Sequence, residues 1–168
     1  ANASVAFGVL TRLEGMGFPI SDQSIREGFA TAHLEGRLEE LRPGLFVDGA
    51  HNESGARALA AWLARRPRPK SRILLWGMGE GRDAAIILAP LVEHVDEVVT
   101  TRCAHPKARD PYELALSLQD IDCVLSAAGP IEEALPEVLA EADEVIAAGS
   151  LFLAGAVRAL ARDMGSET

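Results

Sequence analysis

Lysine is almost missing from this chain of 168 residues: Lys70 and Lys107 are the only two, and each follows a proline. A phosphate loop needs Gly directly before Lys and Ser or Thr directly after it, so these residues contain no such loop. Cysteine is equally scarce. Cys103 and Cys123 match no zinc or redox spacing and are expected as free thiols in a reducing cytosol. Aromatic residues make up 5% of the chain, so the core has to come from Ala, Leu, Val and Ile, which a 48% apolar content supplies. The longest apolar runs are about five to seven residues, too short to cross a bilayer. The first residues lack a charged segment, an apolar block and a cleavage site in sequence, so no signal peptide is visible. Basic residues are outnumbered, 16 to 25, for a formal net charge of −9. That balance argues against general affinity for nucleic acid or an anionic membrane. Any anion must be held by local geometry.

What is present begins with helices. Ala6, Val9, Leu10 and Leu13 share one face of a helix ending near Gly15 or Gly17. Pro19-Ile20-Ser21 starts a second helix, with Ser21 as N-cap and Ile25, Phe29 and Ala32 on one face. Two short helices bury little by themselves, so residues 1–34 read as the tail of a preceding domain or a clasp on a sheet. From Gly36 the pattern changes. Arg37 to Leu41 reads as a strand, Arg42-Pro43-Gly44 as a turn, and Leu45 to Asp48 as the return strand. Helices are expected over 53–66, 83–93, 111–118, 131–140 and 151–162, and strands over 73–76, 98–99, 123–125 and 145–146. This alternation predicts an α/β domain over 35–168, a mostly parallel sheet with helices on both faces. The stretch from Cys103 to Pro111 reads as a loop long enough to be mobile.

Leu45-Phe46-Val47-Asp48-Gly49-Ala50-His51-Asn52 is the most telling stretch. A buried strand stops in small and polar residues, with an acid at its carboxyl end and Asn52 placed to cap the next helix. Ligands of open α/β sheets bind at that edge. Gly77-Met78-Gly79-Glu80-Gly81-Arg82-Asp83 imitates a dinucleotide loop, but Arg82 stands where the third glycine is required. Ser150 opens the last helix, where an N-cap and an anion contact are equally natural. His105, Lys107 and Arg109 put three basic residues into one loop of an acidic chain, to meet substrate carboxylates or simply water.

Three motifs in order, Gly36-Arg37-Leu38-Glu39, Asp48-Gly49-Ala50-His51-Asn52 and Gly149-Ser150-Leu151-Phe152-Leu153, resemble the C-terminal domain of folylpolyglutamate synthase/dihydrofolate synthase, within the Mur ligase superfamily. The resemblance spans nearly the whole chain, Asn2-Ala3 matching the helix that closes the family's central ATPase domain. It implies a Rossmann-like fold over 35–168, with 1–34 as the end of that ATPase domain. It also implies a cytoplasmic ligase that uses ATP and Mg²⁺ to add L-glutamate to folate or dihydropteroate through an acyl phosphate. The phosphate loop, the Mg²⁺ ligands and a carbamylated lysine would lie upstream, so no metal ligand is expected here and the fragment alone should be inactive.

By the same resemblance Asn2, Arg37 and Asp48 match positions that contact ATP, while His51 and Ser150 match positions at the glutamate. His51 is further implied as a catalytic group that orients or deprotonates the incoming amine. The residues also admit plainer roles: helix caps for Asn2, Asp48 and Ser150, a solvated strand residue for Arg37, a loop histidine bonded to a backbone carbonyl for His51. The chain departs from the family at Gly81, where the first acid of an Asp-Lys-Asp triplet is missing, at Glu53 in place of proline, and at Phe152 in place of tyrosine. Two other readings remain open at this point, another Mur-superfamily amino-acid ligase domain and a standalone nucleotide- or amino-acid-binding module without catalysis.

Overall fold

In the computed structural model, residues 2–166 are described, with the side chains of 3–165. The chain falls into two compact units, residues 1–34 and 35–168. The first holds helices α1 (Asn2–Gly15) and α2 (Asp22–Thr31). The Ser21 hydroxyl accepts the backbone N–H of Ser24 at 3.1 Å, the expected N-cap. Of the anticipated apolar face of α2 only Ile25 is buried.

The second unit is a six-stranded sheet in the order β1 (Glu39–Arg42), β2 (Leu45–Val47), β6 (Glu144–Ala148), β3 (Arg72–Trp76), β4 (Glu97–Arg102), β5 (Val124–Pro130). β1 runs antiparallel to β2, and all other neighbours are parallel. The helices are α3 (Glu53–Leu63), α4 (Ala84–Leu88), α5 (Pro111–Leu116), α6 (Ile131–Glu141) and α7 (Leu151–Ser166).

The strand alternation sorts the core into two layers. Phe46, Leu74, Trp76, Val98, Ile146 and Ala148 point to the face covered by α3, α4 and α5, against Leu59, Leu63, Leu88 and Leu114. Leu45, Val47, Ile73, Leu75, Val145 and Ala147 point to the other, covered by α6 and α7 through Ile131, Leu135, Leu153 and Val157. β3 and β6 are buried on both faces, which is why they read as unbroken apolar runs.

Three local expectations need correction. The first strand begins at Glu39, not Arg37, because Gly36 (φ 66°) and Leu38 (φ 45°) turn the chain through the left-handed region. The expected helix over 83–93 is an α-helix only to Leu88, with a short 3-10 turn at Val92–His94, because Pro90 has no N–H to continue the ladder. The expected strand at 123–125 starts at Val124 and runs on to Pro130.

At the amino ends of the strands the charges are paired. Arg72, 2% exposed, donates from Nε to Glu144 at 2.5 Å, and Arg66 reaches the other oxygen of Glu144 at 2.8 Å. Asp96 accepts from Arg68 at 2.7 Å and from the backbone N–H of Arg72 at 2.8 Å, and the Arg68 bond holds its carboxyl below the usual range. Replacing Arg72 by Ala leaves Glu144 under-compensated, and urea denaturation should register a loss of about 3 kcal/mol. The double variant Arg72→Met/Glu144→Leu should lose less, since the fully buried cation is removed with its acid and only the half-buried Arg66 loses a partner. Asp96 has a lowered folded pKa, so its contribution is present at neutral pH and lost in acid. The stability gap between wild type and Asp96→Asn, under ~1 kcal/mol for so exposed a pair, should hold above pH ~4 and close as pH falls below it.

Candidate functional site

The chain visits β2, β3, β4 and β5 in turn and then returns to lay β6 between β2 and β3. The helix after β3 covers one face of the sheet and the helix after β6 covers the other. Their loops therefore part between the two strands, opening a crevice at the carboxyl edge, the usual ligand position in such sheets.

The end of β2 forms one wall. Asp48 is buried, and both its oxygens are engaged by backbone: Oδ1 accepts Ala50 N–H at 2.7 Å and Oδ2 accepts Leu38 N–H at 2.9 Å. Burial raises its pKa; the two N–H groups and the charge of Arg37 oppose that rise. With the Gly49 N–H donated to Gly36 O at 2.7 Å, this stitches the turn before β1 to the loop after β2. Asn52 caps α3, its Oδ1 accepting Gly55 N–H at 2.9 Å. Between them His51 donates from Nδ1 to the Gly49 carbonyl at 2.8 Å. A carbonyl can only accept, so the neutral ring keeps a bare lone pair on Nε2. Arg82 Nη1 donates to the His51 carbonyl, tying the loop after β3 to this wall.

The end of β6 forms the second wall. Gly149 (φ 106°) donates to Ala50 O at 2.9 Å, and a Cβ there would meet Gly77 O at 2.6 Å, so only glycine lets the ends of β6 and β3 approach. Ser150 Oγ accepts Phe152 N–H at 3.1 Å, the cap expected at the start of α7.

The loops after β3 and β4 close the crevice. Glu80 donates its N–H to Lys107 O at 3.1 Å, Arg109 donates its N–H to Met78 O at 2.9 Å, and Gly79 pairs with Ala108. The segment from Cys103 to Pro111, expected to be mobile, is thus laced to its neighbour. His105 stacks on Phe152 with ring centroids 3.8 Å apart and planes 20° from parallel.

The result is a cavity of about 230 Å³ lined by His51, the 77–80 segment, Arg82, Arg102, Cys103, His105, Lys107, Ala108 and the 149–153 segment. Arg82, Arg102 and Lys107 face a single lining carboxylate, Glu80. Among the described residues neither Arg102 nor Lys107 has an ion-pair partner. Cys103 is also in the lining, its thiol pKa pushed up by burial.

The structure therefore brings His51 and Ser150 together and keeps Arg37 and Asp48 out of the lining. Arg37 lies beside Gly49 and is exposed, while Asp48 braces the turn beneath. The Asn2 side chain lies outside the described residues. Of the three basic loop residues, His105 and Lys107 reach the cavity, and Arg109 turns away to the Ser117 hydroxyl at 3.1 Å. Arg102 went unnoticed in the sequence; its signal is a cation terminating an otherwise buried strand. Among the described residues no three His, Cys, Asp or Glu side chains gather as a metal site. No described helix is long and apolar enough to cross a membrane.

Known proteins are similar to this chain in sequence and fold. The family model for the C-terminal domain of dihydrofolate synthetase matches residues 36–160. A dihydrofolate synthase/folylpolyglutamate synthase of Mycobacterium tuberculosis is 30% identical over 95% of this chain, and one of Escherichia coli is 29% identical over 89%. The chain spans only 37% and 35% of their lengths. Among solved structures, Escherichia coli FolC in complex with ADP superimposes with a TM-score of 0.83 at 25% identity, covering 98% of this chain and 40% of that one. Mycobacterium tuberculosis folylpolyglutamate synthase, complexed with ADP and AMPPCP, gives 0.78 at 30% identity over 87% of this chain and 36% of that one. This chain belongs to the family of dihydrofolate synthetase C-terminal domains.

Proposed function

We propose that this chain is the C-terminal part of a cytoplasmic ATP-dependent ligase that joins L-glutamate to folate or dihydropteroate, and that its cavity receives the glutamate. Family membership sets the reaction class. The observation that carries the reading is the pairing, in one cavity, of a histidine with a bare Nε2 and cations that have no acid partner. Such a pocket suits an amine that must lose a proton and carboxylates that must keep their charge.

The chemistry assigned to these residues is limited and definite. In the second half of the reaction the glutamate nitrogen attacks the carbonyl carbon of an acyl phosphate. A C–N bond forms, the C–O bond to phosphate breaks with its electron pair leaving on phosphate, and a proton leaves the nitrogen. His51 Nε2 is the group offered to that proton, and the Gly49 bond to Nδ1 keeps the ring in the accepting tautomer. Ser150, already an acceptor for Phe152 N–H, retains its hydroxyl proton for a substrate oxygen. Arg37 and Asn2 are assigned to the nucleotide, and Asp48 to the same end of the site as the brace of the turn that presents Arg37. ATP supplies the phosphoryl group, and its phosphate loop and Mg²⁺ ligands belong to an ATPase domain to which residues 1–34 contribute the closing helices. The near-complete coverage of this chain by relatives more than twice its length supports that division.

Full-length protein carrying this chain should release ADP in a glutamate-dependent manner with ATP, Mg²⁺ and either dihydropteroate or a reduced folate. Silence with both acceptors, and turnover with UDP-sugar peptides instead, would move the assignment to another branch of the superfamily. The 168 residues alone should show no turnover. His51→Ala should lower kcat/KM for glutamate by about 10²-fold, the scale of one acid–base group, while the KM for ATP stays within about 2-fold.

A further inference from the structure

The cavity holds two histidines whose rings are set in opposite tautomers. His51 gives its Nδ1 proton to Gly49 O and leaves Nε2 bare. His105 does the reverse: its Nδ1 accepts the backbone N–H of Lys107 at 3.2 Å, so the neutral ring carries its proton on Nε2. One ring is an acceptor by construction and the other a donor.

The donor ring is also held in place. Phe152 stacks on it at 3.8 Å and 20°, which fixes its plane from the α7 side. The backbone bonds from Glu80 and Arg109 anchor its loop to the opposite one. A solvated loop histidine needs neither device. Lys107, next but one in sequence, adds a cation to the same lining without an acid partner among the described residues.

We propose that His105 recognises a carboxylate of the acidic amino-acid substrate through its Nε2–H, with Lys107 supplying charge and Phe152 holding the ring, while His51 serves the amine. The proposal rests on the ligase reading above and adds a residue that the family resemblance did not assign. It also accounts for an exposed aromatic at position 152, where the stack needs a ring and no hydroxyl.

The test is steady-state kinetics of the full-length protein with L-glutamate varied, at saturating ATP, Mg²⁺ and pteroate or folate acceptor. His105→Gln sets an amide N–H where Nε2–H stands. His105→Asn keeps an acceptor for the Lys107 N–H but removes that donor, and His105→Phe keeps only the stack. The glutamate KM should stay within about 3-fold in the Gln variant and rise about 10-fold or more in the Asn and Phe variants, with kcat and the KM for ATP within about 2-fold throughout. An unchanged glutamate KM in all three variants overturns the proposal. So does an equal fall in kcat in all three, Gln included, because loss of loop packing would then be the cause. Wild-type protein that turns over with glutamate separates these failures from failure of the ligase reading, which shows instead as no glutamate-dependent ADP release before any substitution is made.

Discussion

The insertion of β6 between β2 and β3 is the constraint on which the rest of this domain depends. Its five residues are all buried, and each pairs with β3, while three also pair with β2. A strand in that position has apolar contacts on both faces and hydrogen bonds on both edges. It also forces the loops after β3 and β6 to opposite faces of the sheet, and a crevice between them follows from topology. Gly149 then decides how narrow that crevice is at its base, because a Cβ would collide with the Gly77 carbonyl. Ser150, the start of α7 and the ring of Phe152 are all set by the turn that this glycine makes possible.

Charge is distributed differently at the two ends of the strands. At the amino ends Arg72 and Arg66 share Glu144, and Arg68 holds Asp96. Arg66 in addition lies over the rings of Phe46 and Trp62, at 4.3 and 4.4 Å. At the carboxyl ends Arg82, Arg102 and Lys107 surround a cavity with one carboxylate. Exposed cations contribute little to folding, whether paired or not. Three of them nevertheless line one cavity in a chain of net charge −9, and of the three Arg82 is tied to the His51 carbonyl.

Much of the architecture was legible because it is written in local periodicity. Leu45–Val47 and Ile73–Trp76 are apolar without interruption, and the structure buries both on two faces. Ser21 and Asn52 precede their helices with the right side chain, and both make the cap bond. His51 and Ser150 could be found because they follow buried strands directly, where the chain must cross the ligand edge. The losses were non-local. The Gly79–Ala108 bridge joins two loops that no pattern relates, so a laced segment read as a mobile one. Leu38 enters the left-handed region under the grip of a carboxylate ten residues away, so a turn read as strand. Arg102 is a cation at the end of a buried strand, but where that strand ends depends on pairing with β5, which local periodicity does not show.

The acidic surface and the cationic cavity act at different ranges. At physiological ionic strength charges are screened over about 8 Å, so the net −9 does little to repel an anion once it is inside a cleft of about that size. Within the cleft the nearby guanidinium and ammonium groups dominate, and the backbone around them is stitched rather than loose. The Asp48 clamp, the Gly79–Ala108 bridge and the Phe152 stack fix loops that would otherwise have to be ordered when ligand arrives. That ordering would cost about 0.5–1.5 kcal/mol for each side chain immobilised on binding.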